Sequence, residues 1–263
     1  MVLFGPGSSV SDMPIIIKSD DEIAIMRQAG SIVAETMQKL LAELRPGLVV
    51  KELDSMVRKE FARHGVIPTF LGYARPPYPA TVCVSVNEEI VHGIPLKRVL
   101  QDGDVVSIDL GCTYKGFVAD HAITAIVGTP KPRMQELVDV TRESLGEGIK
   151  HLRAGNKLGE VSHAIGEYIE ARGFGVVREY VGHGVGRAMH EEPSVPNFGP
   201  ADKGPVLKKG MVLALEPMVT VGDWRTRQLD DHWTVVTADG SWAAHFEHTI
   251  AVTDGDPLIL TVP

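Results

Sequence analysis

Residues 107–120 read Ser107-Ile108-Asp109-Leu110-Gly111-Cys112-Thr113-Tyr114-Lys115-Gly116-Phe117-Val118-Ala119-Asp120, two apolar runs around a tight turn. Short apolar runs bounded by turn residues form β-hairpins, so the middle of the chain is expected to be an antiparallel pair. With Tyr114 and Lys115 as the turn residues, Asp109 lies directly opposite Asp120 on one face. Like charges placed opposite each other destabilise a sheet. Strands flanked by Val105, Val106, Ile108, Ile123 and Ile126 also bury what they carry, so the two carboxylates need compensation, which a divalent metal supplies. A turn slipped by one residue instead sends one aspartate to solvent and removes that need.

Helical periodicity lies on both sides of this hairpin. Ser19 and Glu22 make a capping box, and Ile23, Met26, Gly30, Val33, Met37, Leu40 and Leu44 recur at helical spacing until Pro46-Gly47 stops the run. A second helix is expected from about 51 to 64, ending at Gly65. Shifting the chain by 108 positions carries Met26 onto Met134, Leu44-Arg45-Pro46-Gly47 onto Leu152-Arg153-Ala154-Gly155, Glu52 onto Glu160 and Gly65 onto Gly173. Such an echo is expected of a duplicated chain whose halves each supply two helices and then strands. Two unrelated amphipathic helix pairs share such features by chance as well. Further strand-like runs occupy 81–86, 104–111, 117–127, 175–180, 211–215, 233–237 and 243–252. The pattern is that of one α+β domain over residues 13–263, with helices packed on one face of a mainly antiparallel sheet. Residues 1–12, rich in Gly and Ser and without periodicity, are expected to be a flexible extension.

Composition narrows the class. The 263 residues are 44% hydrophobic and 23% charged, the mixture of an ordinary globular protein rather than of a collagen-like or disordered chain. No apolar stretch approaches the roughly 20 residues needed to span a bilayer, and the first basic residue, Lys18, follows the short apolar start, the reverse of a secretory signal. Two cysteines, Cys83 and Cys112, are too few for a disulfide framework, which fits a reducing cytoplasm. The formal charge of −8, with no basic stripe, argues against direct nucleic-acid binding.

Other potential metal ligands lie outside the hairpin. The run Gly182-His183-Gly184-Val185-Gly186-Arg187 sets an imidazole among three glycines, where backbone can approach a ligand closely. Glu216 ends the apolar run 212–215, and Glu247 sits inside Ala243-Ala244-His245-Phe246-Glu247-His248-Thr249-Ile250. Each carboxylate alone is read equally well as an exposed strand end or half of a salt bridge. Together, carboxylates and one imidazole suit Mn, Fe, Co or Zn, and two ions sharing bridging carboxylates is the natural count.

The ordered set Asp109, Asp120, His183, Glu216 and Glu247, with Asn87-Glu88-Glu89-Ile90-Val91-His92-Gly93-Ile94-Pro95, His190-Glu191-Glu192-Pro193 and Glu216-Pro217-Met218, strongly resembles the type I methionine aminopeptidases from about Ile15 onward. The resemblance implies the pita-bread fold: a curved, mainly antiparallel sheet with helices on its outer face and pseudo-twofold halves. It implies a metal-dependent aminopeptidase that removes the initiator methionine of nascent proteins and peptides, prefers a small second residue, and uses two divalent ions. Asp120 and Glu247 would bridge them, Asp109 would chelate one, and His183 with Glu216 would complete the other. Glu216 is the implied general base, His190 the partner of the substrate carbonyl and of the oxyanion that develops from it, and His92 either a contact of the scissile amide nitrogen or a group that helps protonate the leaving amine. By position the methionine pocket falls on Phe70, Tyr73, Tyr78, Cys83, His92, Met189 and Trp233. The sequence departs from the family pattern at Phe70, often Cys, at Met189, often aromatic, and in the longer loop Ala74-Arg75-Pro76-Pro77. Nascent chains at the ribosome are the implied partners of a bacterial-type, cytoplasmic monomer.

Two competing readings remain at this level. X-Pro aminopeptidases and dipeptidases share the ligand order but usually carry a substantial domain before the first helix, where only a short tail is seen here. A non-catalytic binding module that has lost its metals is disfavoured by the presence of all five ligands and both loop histidines. A type II enzyme would need a long insertion in the second half, for which the steps from His190 to Glu216 to Glu247 leave no room.

Overall fold

The computed structural model describes residues 14–263, and the extension expected over 1–12 lies outside the described residues. The hairpin forms, with its turn one residue further along than expected. Strands Val105–Tyr114 and Phe117–Ile126 are joined by Lys115 and Gly116, with φ of 48° and 80°. Two positive φ values give the tight turn whose twist matches that of the strands. Setting the turn at Lys115-Gly116 puts one of them on glycine, whereas a Tyr114-Lys115 turn would have put both on residues with side chains. Asp109 consequently pairs with Ala122, and Asp120 with Gly111. The two carboxylates are diagonal neighbours rather than direct opposites. Because each strand slips by one residue, parity is kept and both still point to the same face, so a turn slipped by one residue does not send one aspartate to the other face as expected.

This hairpin lies within a nine-stranded sheet ordered Ile67–Pro68, Val105–Tyr114, Phe117–Ile126, Glu247–Ala251, Val212–Leu215, Gly182–Gly184, Glu191–Val195, with Cys83–Val86 and Leu258–Ile259 branching from it. Every pairing in it is antiparallel. Four helices, α1 (Asp20–Glu43), α2 (Lys51–His64), α3 (Pro132–His151) and α4 (Leu158–Glu170), come in two pairs.

Local signals explain the helix ends. The capping box of α1 is formed, with the Glu22 amide donating to Ser19 Oγ at 3.2 Å and the Ser19 amide to the Glu22 carboxylate at 2.9 Å. Helix α2 stops at Gly65, whose φ of 64° is the left-handed cap conformation. Val33, Met37 and Leu40 of α1 and Leu53, Val57 and Phe61 of α2 pack with Val106, Ile108 and Leu110. Leu137, Val161 and Ile165 of α3 and α4 pack with Leu213, Leu215 and Ile250. Asp109, between Ile108 and Leu110, therefore faces away from the helices.

The echo at 108 residues reappears in backbone hydrogen bonds. Gly47 N donates to Leu100 O at 2.8 Å, and Gly155 N to Leu207 O at 2.9 Å. Leu100 N returns to Leu48 O as Leu207 N returns to Asn156 O, and isolated bridges join Val49 to Val99 and Lys157 to Val206. The same order of helix, helix and strand thus builds both halves, and Asp120 and Glu247 lie on the two strands that meet at the seam.

Several expected strands are shorter. The run 243–252 is two strands, Ala243–His245 in a small sheet with Met218–Thr220 and Gly175–Val176, and Glu247–Ala251 in the large one. The chain changes sheets at Phe246, which is why alternation alone reads it as continuous. Only Gly175–Val176 of 175–180 and Val235–Thr237 of 233–237 are ladder-paired. Glu191–Val195, with its charged start, was not anticipated as a strand.

Candidate functional site

Five of the sequence-selected side chains converge on the face opposite the helices. Ligand atoms of Asp120, His183 and Glu247 lie within 4.8 Å of one another, all three side chains being buried. His183 Nε2 stands 3.5 Å from Glu216 Oε1. Asp109, diagonal to Asp120, and Glu216 are partly exposed and form the rim of this buried floor.

The supports are specific. Asp120 is bracketed by Thr249, whose Oγ1 accepts from the Asp120 amide at 2.9 Å and donates to its carbonyl at 2.8 Å. The His121 amide donates to Asp120 Oδ1 at 3.0 Å. Asn197 Nδ2 donates to the Glu216 carbonyl at 3.0 Å. The glycines flanking His183 answer a packing need rather than ligand approach. A Cβ on Gly182 would sit 2.3 Å from the Ala214 carbonyl oxygen and one on Gly184 2.2 Å from that of Glu192.

Electrostatically the cluster is uncompensated. Burial first, and then the negative neighbours, push the carboxyls of Asp109, Glu216 and Glu247 well above the usual range. Burial also raises Asp120 to about 7 and lowers His183 to about 4. Among the described residues, no Lys or Arg forms an ion pair with any of the four carboxylates, and Glu216 is approached by His183 and His245 alone. Asp109 Oδ1, Glu247 Oε1 and His245 Nε2 are buried without a hydrogen-bond partner. Each such orphan costs roughly 1–3 kcal/mol. Oxygen donors in excess, one imidazole and orphaned carboxylate oxygens are the donor set of divalent cations such as Mn, Fe, Co or Zn, so the residues fit that group.

Two further imidazoles edge the cluster. His190 packs on His183 with ring centroids 4.3 Å apart, and its Nδ1 lies 2.6 Å from the Tyr73 hydroxyl. Although His190 stays exposed, partial desolvation by its neighbours and the adjacent His183 push its pKa down. His92 adopts a φ of 60°, unusual for a residue with a side chain, and its Nδ1 is buried without a partner. Burial lowers its pKa to about 4. Both rings are therefore neutral at neutral pH.

The expected pocket residues are brought together. Phe70, Tyr78, Cys83, Met189 and Trp233 share one buried apolar cluster, with Tyr73 at its margin. Tyr78 meets Trp233 edge-on at 5.0 Å and donates its hydroxyl toward Val82 O and Gly93 O. Cys83 pairs across the sheet with Asp109, so the apolar cluster adjoins the carboxylates. Trp233 also meets the His92 ring edge-on at 6.1 Å.

The sequence reading missed His245, whose Nε2 lies 3.7 Å from Glu216 Oε2. It also missed Thr249, Asn197 and the stacked pair His121 and His248, 4.7 Å apart. The one available signal was the density of histidine around Glu247, in a segment already singled out.

Comparison with known proteins gives consistent relatives. The profile of metallopeptidase family M24 matches residues 24–254. Methionine aminopeptidase 1 of Bacillus subtilis is 50% identical over 247 residues, 94% of this chain and 99% of that protein. The methionine aminopeptidase of Clostridium acetobutylicum is 47% identical over 249 residues, again 94% and 99%. Among solved structures, the methionine aminopeptidase of Thermotoga maritima superposes with a TM-score of 0.93 at 48% identity, covering 95% of this chain and all of that one. The prolidase of Pyrococcus horikoshii matches with a TM-score of 0.74 at 23% identity, over 94% of this chain but 63% of its own, a likeness of fold.

Proposed function

Because the chain belongs to metallopeptidase family M24, and within it to the type I methionine aminopeptidases of bacterial kind, we infer that it is a metal-dependent hydrolase that removes the N-terminal methionine from peptides. The observation that carries this reading is the juxtaposition of an uncompensated carboxylate–imidazole cluster with a cluster of aromatic and sulfur side chains.

Asp120 and Glu247 would hold both cations, Asp109 one of them, and His183 with Glu216 the other. When bound, two divalent ions supply Lewis-acid polarisation of the scissile carbonyl and a nucleophile competent at neutral pH. The side chains do the rest. Glu216 is the general base, its carboxylate standing 3.5 Å from His183 Nε2 at the edge of the cluster. Tyr73 keeps its phenolic proton, since burial raises its pKa, and donates it to His190 Nδ1. That bond leaves the proton of neutral His190 on Nε2, the atom free to donate to the substrate carbonyl and the oxyanion developing from it. His92, with Nδ1 free, contacts the scissile amide nitrogen. Phe70, Tyr73, Tyr78, Cys83, Met189 and Trp233 receive the methionine side chain, whose thioether gains from aromatic and sulfur contacts.

At a finer level, the catalytic unit is residues 13–263, acting as a cytoplasmic monomer on nascent chains at the ribosome without direct nucleic-acid contact, and small second residues are preferred. No helix of the described residues is long and apolar enough to cross a membrane.

The test is release of free methionine from Met-Ala-Ser by chelator-stripped protein before and after addition of Co, Mn, Fe or Zn, with an X-Pro peptide alongside. Metal-dependent cleavage of the methionyl peptide alone is expected. Cleavage of the X-Pro peptide alone would assign the other branch of the fold.

A further inference from the structure

The turn that carries Met189 and His190 is tied to the segment ahead of α1 by a buried ion pair. Lys18 Nζ lies 2.6 Å from Glu191 Oε2, with the two side chains 2% and 6% exposed. Each charge has a second partner. Lys18 Nζ also donates to Ile16 O at 3.1 Å, and Glu191 Oε1 accepts from the Ala188 amide at 3.1 Å. The Glu191 carboxylate thus closes the turn that starts at Ala188 while its other oxygen is held by a residue distant in sequence.

Two further features belong to the same device. Gly186 makes room for it, because a Cβ there would stand 2.4 Å from Lys18 Cε and 2.6 Å from Glu191 Oε1. Lys18 is itself fixed by its amide, which donates to Gly210 O at 2.8 Å. At the surface, Arg187 reaches Glu22 of α1 at 3.1 Å and stacks over Phe117 at 4.2 Å.

Burying an ion pair is rarely the way to gain stability, since well-packed apolar residues of similar volume do as well or better. The geometry points to a positioning role. We propose that Lys18 and Glu191 form a clamp that fixes the 186–191 turn and so sets His190 against the substrate carbonyl and Met189 against the methionine pocket. This role rests on the aminopeptidase reading for its kinetic consequence, but not for its structural one.

The test uses the metal-loaded full chain and four variants: Lys18→Met, Lys18→Arg, Glu191→Gln, and the double variant Lys18→Met with Glu191→Leu. Amide hydrogen exchange of the 186–191 segment is measured beside Tm, kcat and KM on Met-Ala-Ser. For Lys18→Met, faster exchange in that segment and a kcat/KM lower by roughly 10- to 100-fold are expected, since small misplacement of a contacting group has effects of that size. KM should rise as well, whereas a mere loss of folded protein lowers kcat alone. Lys18→Arg should restore part of the loss, and Glu191→Gln, which keeps an oxygen for the Ala188 amide, should be milder than Lys18→Met.

The double variant separates positioning from stability. Its apolar pair should regain Tm while exchange stays fast and kcat/KM stays low. Recovery of wild-type exchange and kcat/KM together with Tm would overturn the clamp, as would a folded Lys18→Met with wild-type exchange. If the wild type fails to release methionine, the aminopeptidase reading fails, and the exchange data still decide the clamp.

Discussion

The phenolic oxygen of Tyr73 lies 2.6 Å from Nδ1 of His190. A residue selected from sequence as pocket lining is therefore also the group that fixes the tautomer of the neighbouring imidazole. Removing only that oxygen, in Tyr73→Phe, should lower kcat by roughly 3- to 10-fold, the worth of one hydrogen bond, with little change in KM. Steady-state kinetics on Met-Ala-Ser check it, and an unchanged kcat would detach Tyr73 from His190.

The apoprotein should lose stability as pH rises above neutrality. A carboxyl whose folded pKa is raised takes up a proton on folding, so its contribution is present below the ordinary carboxylate range and is lost as pH climbs through the folded value. For Asp120 that value is about 7, and Asp109, Glu216 and Glu247 are also raised. Buried histidines act oppositely. His121 and His245, lowered to about 3, and His183, lowered to about 4, add stability as pH rises toward their ordinary 6.5. The histidine gain is half complete at pH 6.5 and is exhausted about one pH unit higher, where only the carboxyl effect remains. Tm of chelator-treated protein should fall as pH rises above about 7, and added metal should flatten that fall; scanning calorimetry with and without chelator reads both.

Gly30→Ala should destabilise the protein although it sits inside a helix. Alanine gains roughly 0.5–1 kcal/mol over glycine in a helix interior. Here its Cβ would stand 2.1 Å from the Leu260 carbonyl oxygen, which is also held by Arg27 at 3.0 Å. Displacing that backbone should outweigh the gain by about 2 kcal/mol, a Tm lower by roughly 4–8 °C. A raised Tm would show that the C-terminal segment is free to shift.

Trp233→Ala should blunt side-chain selectivity. Trp233 packs edge-on against Tyr78 at 5.0 Å and His92 at 6.1 Å, so its loss opens one pocket wall and frees the His92 ring. Discrimination between Met-Ala-Ser and Leu-Ala-Ser, measured as the ratio of kcat/KM values, should narrow by roughly tenfold, the scale of one hydrophobic-pocket contact. An unchanged ratio would remove Trp233 from the pocket.

Elements with local causes were legible in the sequence. Helix α2 occupies 51–64 as read, because Gly65 caps it, and α1 starts at the Ser19 box. The diagonal placement of Asp109 and Asp120 was misread, yet their shared face survived, since a slip of one residue in each strand preserves parity. The break at Phe246 and the strand Glu191–Val195 depend on which sheet accepts their hydrogen bonds, which no local pattern states. The same limit hid His245 and Thr249, whose roles come from partners more than a hundred residues or a whole sheet layer away.

The proposed reaction needs divalent ions held by Asp109, Asp120, His183, Glu216 and Glu247. The most direct test of that ligand set is a titration of chelator-stripped wild type, Asp109→Asn and Glu247→Gln with Mn or Co, following bound metal and methionine release on the same samples. Wild type is expected to gain activity in step with bound metal, while both variants bind fewer ions or bind them at least about tenfold more weakly, and release methionine correspondingly slowly. Full metal occupancy and unimpaired methionine release in both variants would contradict the assignment.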